Sequence, residues 1–254
     1  MPLHQIHNSK SDHFDLRSYE SIRWQPHFHG NFELTVCLEG AAGVTVDGKR
    51  TLLKRGEAAW VLPNAVHAYD SPAPNRVWIG VFSDDYLGDF PRRIKGKRGQ
   101  TPVFVPSGQF LSILRRYLLS DPHPDRLILQ GAACLAAGEY LSQTALVPAP
   151  ADDSLQQILA YLAAHFREDL TMDRLARALG YEYHYLSRKF RKAMGMNFRD
   201  YLTALRLEEA RRLLRQPGSV TEAALAAGFQ SIRAFHNAFR RAYGTTPRAY
   251  RKSE

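Results

Sequence analysis

The sequence predicts a multidomain α+β protein, with a β-barrel and its following helices at the N-terminus and an all-α domain of two helix-turn-helix units at the C-terminus. The apolar period changes from two residues to about 3.6 residues near residue 105. Residues 147–153 are rich in Pro, Ala and Asp and have no apolar period, which predicts a linker. After this linker, one helix-pair pattern occurs twice. The predicted parts are the barrel at 1–104, a helical pair at 105–146, the linker at 147–153 and the double helix-turn-helix domain at 154–254.

Short β-favouring runs, separated by turn signals, fill the region from about residue 22 to residue 81. The dipeptides Asp47-Gly48 and Pro63-Asn64 mark two of the turns. Strands this short and this regularly spaced are typical of a small barrel or sandwich. The predicted strands are 33–38, 44–46, 49–53 and 58–62.

A basic loop and then two helices are predicted after the strands of the barrel. The basic stretch 91–100 predicts an exposed loop, which is either solvated or in contact with DNA. Apolar residues at helical spacing then predict helices at 109–120 and 125–144. Small residues such as Gly131 and Gly138 lie along the second helix. Two interpretations stay open: the helices pack only on the barrel, or they also form the face of a homodimer.

Charge is distributed unevenly along the 254 residues, which carry a net charge of +9. Residues 1–153 contain 16 Lys and Arg against 16 Asp and Glu, whereas residues 154–254 contain 18 against 9. The whole excess of +9 therefore belongs to the C-terminal part. A neutral half joined to a basic half predicts that the basic half contacts nucleic acid or another anionic surface.

The cysteines and the N-terminus indicate the cellular compartment. Cys37 and Cys134 are too few for a disulfide framework and have no zinc-finger spacing. The N-terminus lacks the apolar run of a signal peptide, and no stretch approaches the roughly 18 apolar residues of a membrane span. We therefore expect a cytoplasmic protein with reduced thiols and no membrane partner.

The repeated unit has a physical explanation. Gly180 and Gly228 allow the positive φ of a tight turn between two helices. In the second helix of each unit, apolar anchors at i and i+4 bury one stripe, and the opposite stripe faces solvent or a DNA major groove. Arg suits guanine edges, Asn suits adenine, and Ile suits the thymine methyl group. The candidate DNA contacts are His184, Ser187, Arg188, Arg191 and Lys192 in the first unit, and Ile232, Arg233, His236, Asn237 and Arg240 in the second.

The stretch 220–251 resembles the signature of the AraC/XylS family, with its GF, AF, FRR, YG and TPRAYR elements at the family's positions. The resemblance implies a transcription regulator, not an enzyme, with no catalytic residues and no cofactor. It also implies that two recognition helices bind successive major-groove segments of double-stranded DNA. A small-molecule effector would bind in the barrel, and RNA polymerase and a second copy of the chain are candidate partners. Aromatic side chains such as Trp60 and Tyr69 suit stacking on a sugar, which makes a sugar one candidate effector. Asn237 departs from the family, which often has Arg at this position. The base preference of the second unit therefore cannot be inferred from the family.

Histidines in the barrel suggest a second site. The pattern His27-x-His29-x3-Glu33-x6-Gly40 resembles the first motif of cupin barrels, and the second motif, ending at His67, is matched only loosely. In cupin enzymes, three His and one Glu hold iron, manganese or another divalent metal. As alternate residues, His27 and His29 are expected on one face of a strand.

Three interpretations of this cluster stay open: polar lining of an effector pocket, metal ligation, or structural histidines. In the first, the effector site includes Trp60 and Tyr69, which are otherwise core aromatics. In the second, the chain is a cupin metalloprotein or metalloenzyme that uses His27, His29, Glu33 and His67.

Overall fold

A computed structural model describes residues 13–121, 123–149 and 154–253. The chain divides into two compact units. The described residues up to 149 belong to the N-terminal unit, and those from 154 onward belong to the C-terminal unit. Within the described ranges, no helix has both the length and the apolarity that crossing a bilayer requires.

Two antiparallel sheets form the N-terminal unit. One has five strands in the order β1-β8-β3-β6-β10, and the other has four in the order β2-β7-β4-β5. A two-stranded ribbon pairs β9 with β11. The strands are β1 (Phe14–Glu20), β2 (Trp24–His27), β3 (Phe32–Glu39), β4 (Ala41–Val46), β5 (Lys49–Lys54), β6 (Ala58–Val61), β7 (His67–Asp70), β8 (Arg76–Phe82), β9 (Lys97–Gly99), β10 (Val103–Phe104) and β11 (Leu146–Pro148).

Strand β3 is buried on both faces, and its alternate side chains point into two different hydrophobic clusters. Leu34 and Val36 point into a cluster shared with the helices of this unit. Cys37 belongs to a second cluster, with residues such as Val44 and Leu53 of the four-stranded sheet. This second cluster lies between the two sheets, and the odd-numbered residues of β3 face it.

The helices of the N-terminal unit cover one face of the five-stranded sheet. They are α1 (Phe90–Arg93), α2 (Gly108–Ile113), which continues into a π-helical turn at Leu114–Leu118, and α3 (Arg126–Gln143). The prediction of a loop at 91–100 is wrong in part, because the segment contains most of α1 and all of β9. Phe90 anchors α1 in the core, and the backbone of β9 pairs with β11, while the basic side chains stay in solvent.

Strands β9 and β11 also alter the expected ends of the neighbouring segments. Val147 and Pro148, predicted as the start of the linker, lie in β11. Strand β1 was not predicted at all, although it pairs with β8 along its full length.

The C-terminal unit is all-helical, as predicted. Its helices are α4 (Ser154–His165), α5 (Met172–Leu179), α6 (Tyr183–Met194), α7 (Phe198–Leu214), α8 (Val220–Ala226), α9 (Ile232–Tyr243) and α10 (Pro247–Ser253). The long helix α7 packs against α6 and also against α8, α9 and α10. It therefore joins the two helix pairs.

A buried charge network connects the start of the C-terminal unit to α7. The Glu209 side chain is 2% exposed and accepts hydrogen bonds from Arg167 at 2.6 Å and from Arg212 at 2.8 Å. Arg206 donates to the backbone oxygens of Phe166 and Glu168, at 2.8 and 2.6 Å. These contacts fix the turn between α4 and α5 against the connecting helix.

Candidate nucleic-acid interface and buried histidine site

The first helix-turn-helix unit comprises α5, a turn that begins at Gly180, and α6. Gly180 ends α5 in the left-handed region, at φ 71°. The Glu182 carboxylate then caps α6 by accepting from the backbone N–H groups of His184 and Tyr185, at 2.8 and 2.7 Å. These two bonds hold the pKa of Glu182 below its ordinary value.

The second unit repeats this construction with α8 and α9. Ser219 and Glu222 form a capping box at the start of α8, and Gly228 turns the chain at φ 94°. Ser231 caps α9 by accepting from the Ala234 N–H at 3.3 Å. Helices α6 and α9 each have 12 residues, and each ends at a glycine with φ 68° and ψ 1°. The internal repeat in the sequence is therefore a structural repeat.

The apolar anchors fix which side of each second helix faces outward. Leu186 and Phe190 of α6 are fully buried, as are Phe235 and Phe239 of α9. On the other side, the predicted contacts are all exposed or half-buried. The exposed ones are His184, Arg188, Arg191, Lys192, Arg233, Asn237 and Arg240, and the half-buried ones are Ser187, Ile232 and His236.

The basic residues on these outward faces differ from several other arginines of the same unit. Arg177 of α5 pairs with Asp173, and Arg211 of α7 pairs with Glu208 at 3.0 Å. By contrast, neither Arg188 nor Arg233 forms a salt bridge with any residue that the structure describes. The positive charge on the outward faces of α6 and α9 is therefore available to an anionic partner.

One residue on this surface was missed by sequence reasoning. Tyr183 occupies in α6 the position that Ile232 occupies in α9, and it is 43% exposed. The alignment of the two repeats contained this signal, because each residue opens its helix. An aromatic ring at the N-terminal end of a recognition helix is well placed for an apolar contact with a base.

In the barrel, the structure brings together all four residues of the predicted histidine cluster. His27 on β2 lies opposite His67 on β7, and Glu33 projects from β3. One ligand atom from each of His27, His29, Glu33 and His67 lies within 4.8 Å of the others. All four residues are at most 2% exposed.

The expectation that His27 and His29 alternate along one strand is wrong, because β2 ends at His27. His29 lies in the following turn, where its backbone oxygen accepts from the N–H of Asn64 at 2.8 Å. This bond ties the two turns together and brings the His29 ring to Glu33 from outside the strand.

Backbone carbonyls orient the three imidazole rings. Nδ1 of His27, His29 and His67 lies 3.0 Å from the backbone oxygen of Gln25, Asn31 and Ala65 respectively. A carbonyl oxygen only accepts, so each Nδ1 carries a proton and donates it. In a neutral ring, Nε2 is then a lone-pair donor directed into the cluster.

Glu33 is oriented in turn by a hydroxyl chain. The Tyr69 hydroxyl donates to Oε1 of Glu33 and lies 2.6 Å from Oγ1 of Thr35. Oε2 lies 3.2 Å from Nε2 of His29. Burial alone would raise the pKa of Glu33, but the facing His67 and His29 hold that pKa well below its ordinary range. Burial, followed by the charge of Glu33, raises the pKa of Tyr69 well above its ordinary value.

Trp60 does not join this cluster. It alternates with Ala59 on β6, and Ala59 takes the position facing the space between the sheets. The indole packs against the helices instead, with its Nε1 donating to the backbone oxygen of Ala136 at 3.4 Å. The prediction that Trp60 lines one pocket with the histidines is therefore wrong, whereas Tyr69 lies beside Glu33 as described.

The spacing of the imidazole rings limits what fits between them. The His27 and His67 ring centroids are 4.0 Å apart, and those of His29 and His67 are 4.9 Å apart. A sugar ring does not fit into such a gap.

A separate cavity of about 380 Å³ lies in the same unit, between β3 and the α2 segment. Three leucines and two arginines contribute to its wall. Its lining is Cys37, Leu38, Arg55, Gly56, Leu111, Leu114 and Arg115. The walls of this cavity come from three distant stretches of the chain, so no local pattern in the sequence predicts it.

Comparison with known proteins gives matches along nearly the whole chain. The model of the AraC-like ligand binding domain matches residues 14–179, and the model of a helix-turn-helix domain matches residues 175–253. YobQ of Bacillus subtilis, described as an uncharacterized HTH-type transcriptional regulator, is 25% identical over 94% of this chain and 93% of its own.

Other relatives share only part of their length. An uncharacterized HTH-type transcriptional regulator of Staphylococcus aureus is 34% identical over 101 residues, which are 39% of this chain but 14% of that protein. The solved structure of ToxT from Vibrio cholerae, bound to an unsaturated fatty acid, is 12% identical and covers 95% of both chains with a TM-score of 0.60. This likeness confirms the predicted fold class, a β-rich N-terminal domain joined to a helical C-terminal one.

Proposed function

Since the chain belongs to the AraC family, we propose that it is a transcription regulator that binds specific sequences of double-stranded DNA and responds to a small molecule. The observation that carries the proposal is the pair of equivalent helices α6 and α9, each with an outward basic face. Arg188 and Arg233 on these faces form no salt bridge with a described residue. Recognition helices of this kind place their N-terminal residues against base edges in the major groove.

The two units differ in what they would recognise. In α6, His184, Ser187 and Arg188 face outward, and the guanidinium of Arg188 suits a guanine edge. In α9, Arg233 and Asn237 are exposed, and the Asn237 amide suits adenine. Helices α6 and α9 are therefore expected to prefer different bases, so the two halves of the bound DNA site do not repeat one sequence.

The cavity in the N-terminal unit supports control by an effector. Its volume of about 380 Å³ lies within the range of small-ligand pockets, about 300 to 1,000 Å³. Leucines on its wall favour an apolar body, and Arg55 and Arg115 favour an anionic group. This chemistry fits an organic acid with an apolar chain better than the sugar suggested by the sequence. A fatty acid, the ligand named for the ToxT structure, belongs to that class.

The test measures binding of the purified full chain to fragments of its source genome at moderate salt. We expect a small set of preferred fragments, with affinity that falls steeply as salt rises. The same assay with aliphatic carboxylates and with sugars tests the effector, and we expect only the carboxylates to change the affinity. Equal affinity for all fragments contradicts the proposed DNA function, whereas unchanged affinity with every ligand contradicts only the effector.

A further inference from the structure

We propose that His27, His29, His67 and Glu33 bind one divalent first-row transition-metal ion between the two sheets of the barrel. The inference concerns the N-terminal unit alone and does not depend on DNA binding.

The first reason is the arrangement of donor atoms. Three imidazoles and one carboxylate offer four ligand atoms within 4.8 Å of one another. Four atoms bound tetrahedrally to one ion at about 2.1 Å lie about 3.4 Å apart, so the widest pair needs to close by about 1.4 Å. The fold therefore gathers the four ligands before the ion binds.

The second reason is the orientation of the rings. Each Nδ1–H is held by a backbone carbonyl at 3.0 Å, which fixes the tautomer that leaves Nε2 as the donor to a metal. Glu33 is held in the same way, with Oε1 accepting from Tyr69 and Oε2 directed at the rings. Outer hydrogen bonds of this kind orient the ligands in protein metal sites.

The third reason is a polar atom that lacks a partner. Nε2 of His67 is buried and has no hydrogen bond to any described residue, and its distance to Oε1 of Glu33 is 3.6 Å. Because the Nδ1 of this ring is already held by the carbonyl of Ala65, Nε2 is the atom that it presents to the cluster. A divalent cation at the centre of the cluster would bind this atom together with the other three ligand atoms.

The donor set also selects the class of ion. Imidazole nitrogens suit zinc, iron, nickel and copper, whereas magnesium and calcium prefer oxygen ligands. Glu33 belongs to the five-stranded sheet, while His27 and His67 belong to the four-stranded one. The bound ion therefore cross-links the two sheets and stabilises the barrel by mass action.

The experiment uses the full chain, freed of metal by a chelator and titrated with Co²⁺ and Zn²⁺. We expect one Co²⁺ per chain with visible d–d absorption, competition by Zn²⁺, and no competition by millimolar Mg²⁺. H67Q and E33Q should each weaken binding at least about 100-fold, and Y69F about 10-fold or more, because its hydroxyl orients Glu33. The control H123A changes an exposed histidine of the same unit and should bind normally.

Substoichiometric binding to the wild type, or equal affinity in H67Q, E33Q and H123A, would overturn the proposal. If the ligand variants fail to fold, X-ray absorption of the zinc-loaded wild type decides the question. Three imidazole nitrogens and one oxygen at about 2.0 to 2.2 Å are expected, and a shell without imidazoles contradicts the site.

Discussion

Replacing Gly228 by alanine should destabilise the C-terminal unit much more than the same change at Gly180. The two glycines are equivalent in the structural repeat, and both have positive φ, 94° and 71°. A Cβ atom at Gly180 meets nothing within 4 Å. At Gly228, it would lie 2.6 Å from Cα and 2.7 Å from the backbone oxygen of Arg167.

The magnitude follows from these contacts. The left-handed conformation costs alanine about 1 to 2 kcal/mol at either position. At Gly228, displacing the backbone of the α4–α5 turn adds about 1 to 3 kcal/mol, the usual cost of overpacking. That turn resists movement because Arg167 is bonded to the buried Glu209. We expect a loss in the free energy of unfolding of about 1 kcal/mol for G180A and about 3 kcal/mol for G228A.

The assay is thermal unfolding of the full chain, followed by far-UV circular dichroism at 222 nm. For a unit of this size, 1 kcal/mol corresponds to roughly 5 °C in Tm. The helical transition should therefore fall by about 5 °C in G180A and by about 15 °C in G228A. The entropy lost from the unfolded chain is the same for both substitutions and cancels in the comparison. Equal shifts in the two variants, or a larger shift in G180A, would refute the reasoning.

Two further substitutions test the local structure of the same unit in the same assay. S219A removes the hydroxyl that accepts from the Glu222 N–H at 3.0 Å. The loss of this cap should lower the free energy of unfolding by about 1 kcal/mol and the Tm by roughly 5 °C. A Tm equal to that of the wild type would show that the cap does not contribute to stability. E209Q keeps the shape of a buried side chain but removes the charge that pairs with Arg167 and Arg212, so we expect a loss of about 2 kcal/mol. A more stable E209Q would mean that the desolvation of Glu209 outweighs its two ion pairs.

The C-terminal unit could be predicted closely because its signals are local. The caps and glycines of the sequence predict helices at 173–179, 183–194 and 198–215. Helix α6 has the predicted bounds, and α5 and α7 each differ by a single residue at one end. Caps and glycines determine these ends, and both can be recognised in the sequence. The buried carboxylate of Glu209 could not be predicted, since its partner Arg167 is 42 residues away.

The barrel was predicted less completely, for reasons of tertiary pairing. Strand β1 and the β9–β11 ribbon depend on distant partners, which a local pattern does not indicate. The face to which Trp60 points depends on the register of β6, and one residue of shift exchanges the two faces. The four residues of the histidine cluster were identified from their spacing, but the carbonyls that orient the rings became visible only in the fold.

The most direct test of the account measures the affinity of Arg188 and Arg233 variants for a preferred DNA fragment, by fluorescence anisotropy at fixed salt. We expect R188A and R233A each to bind at least about 10-fold more weakly and to lose base preference in a different half of the site. R177A is the matched control, because this exposed arginine of α5 is paired with Asp173, and it should change affinity by less than about twofold. If R188A and R233A bind with the affinity and preference of R177A, the outward faces of α6 and α9 are not the surfaces that contact DNA.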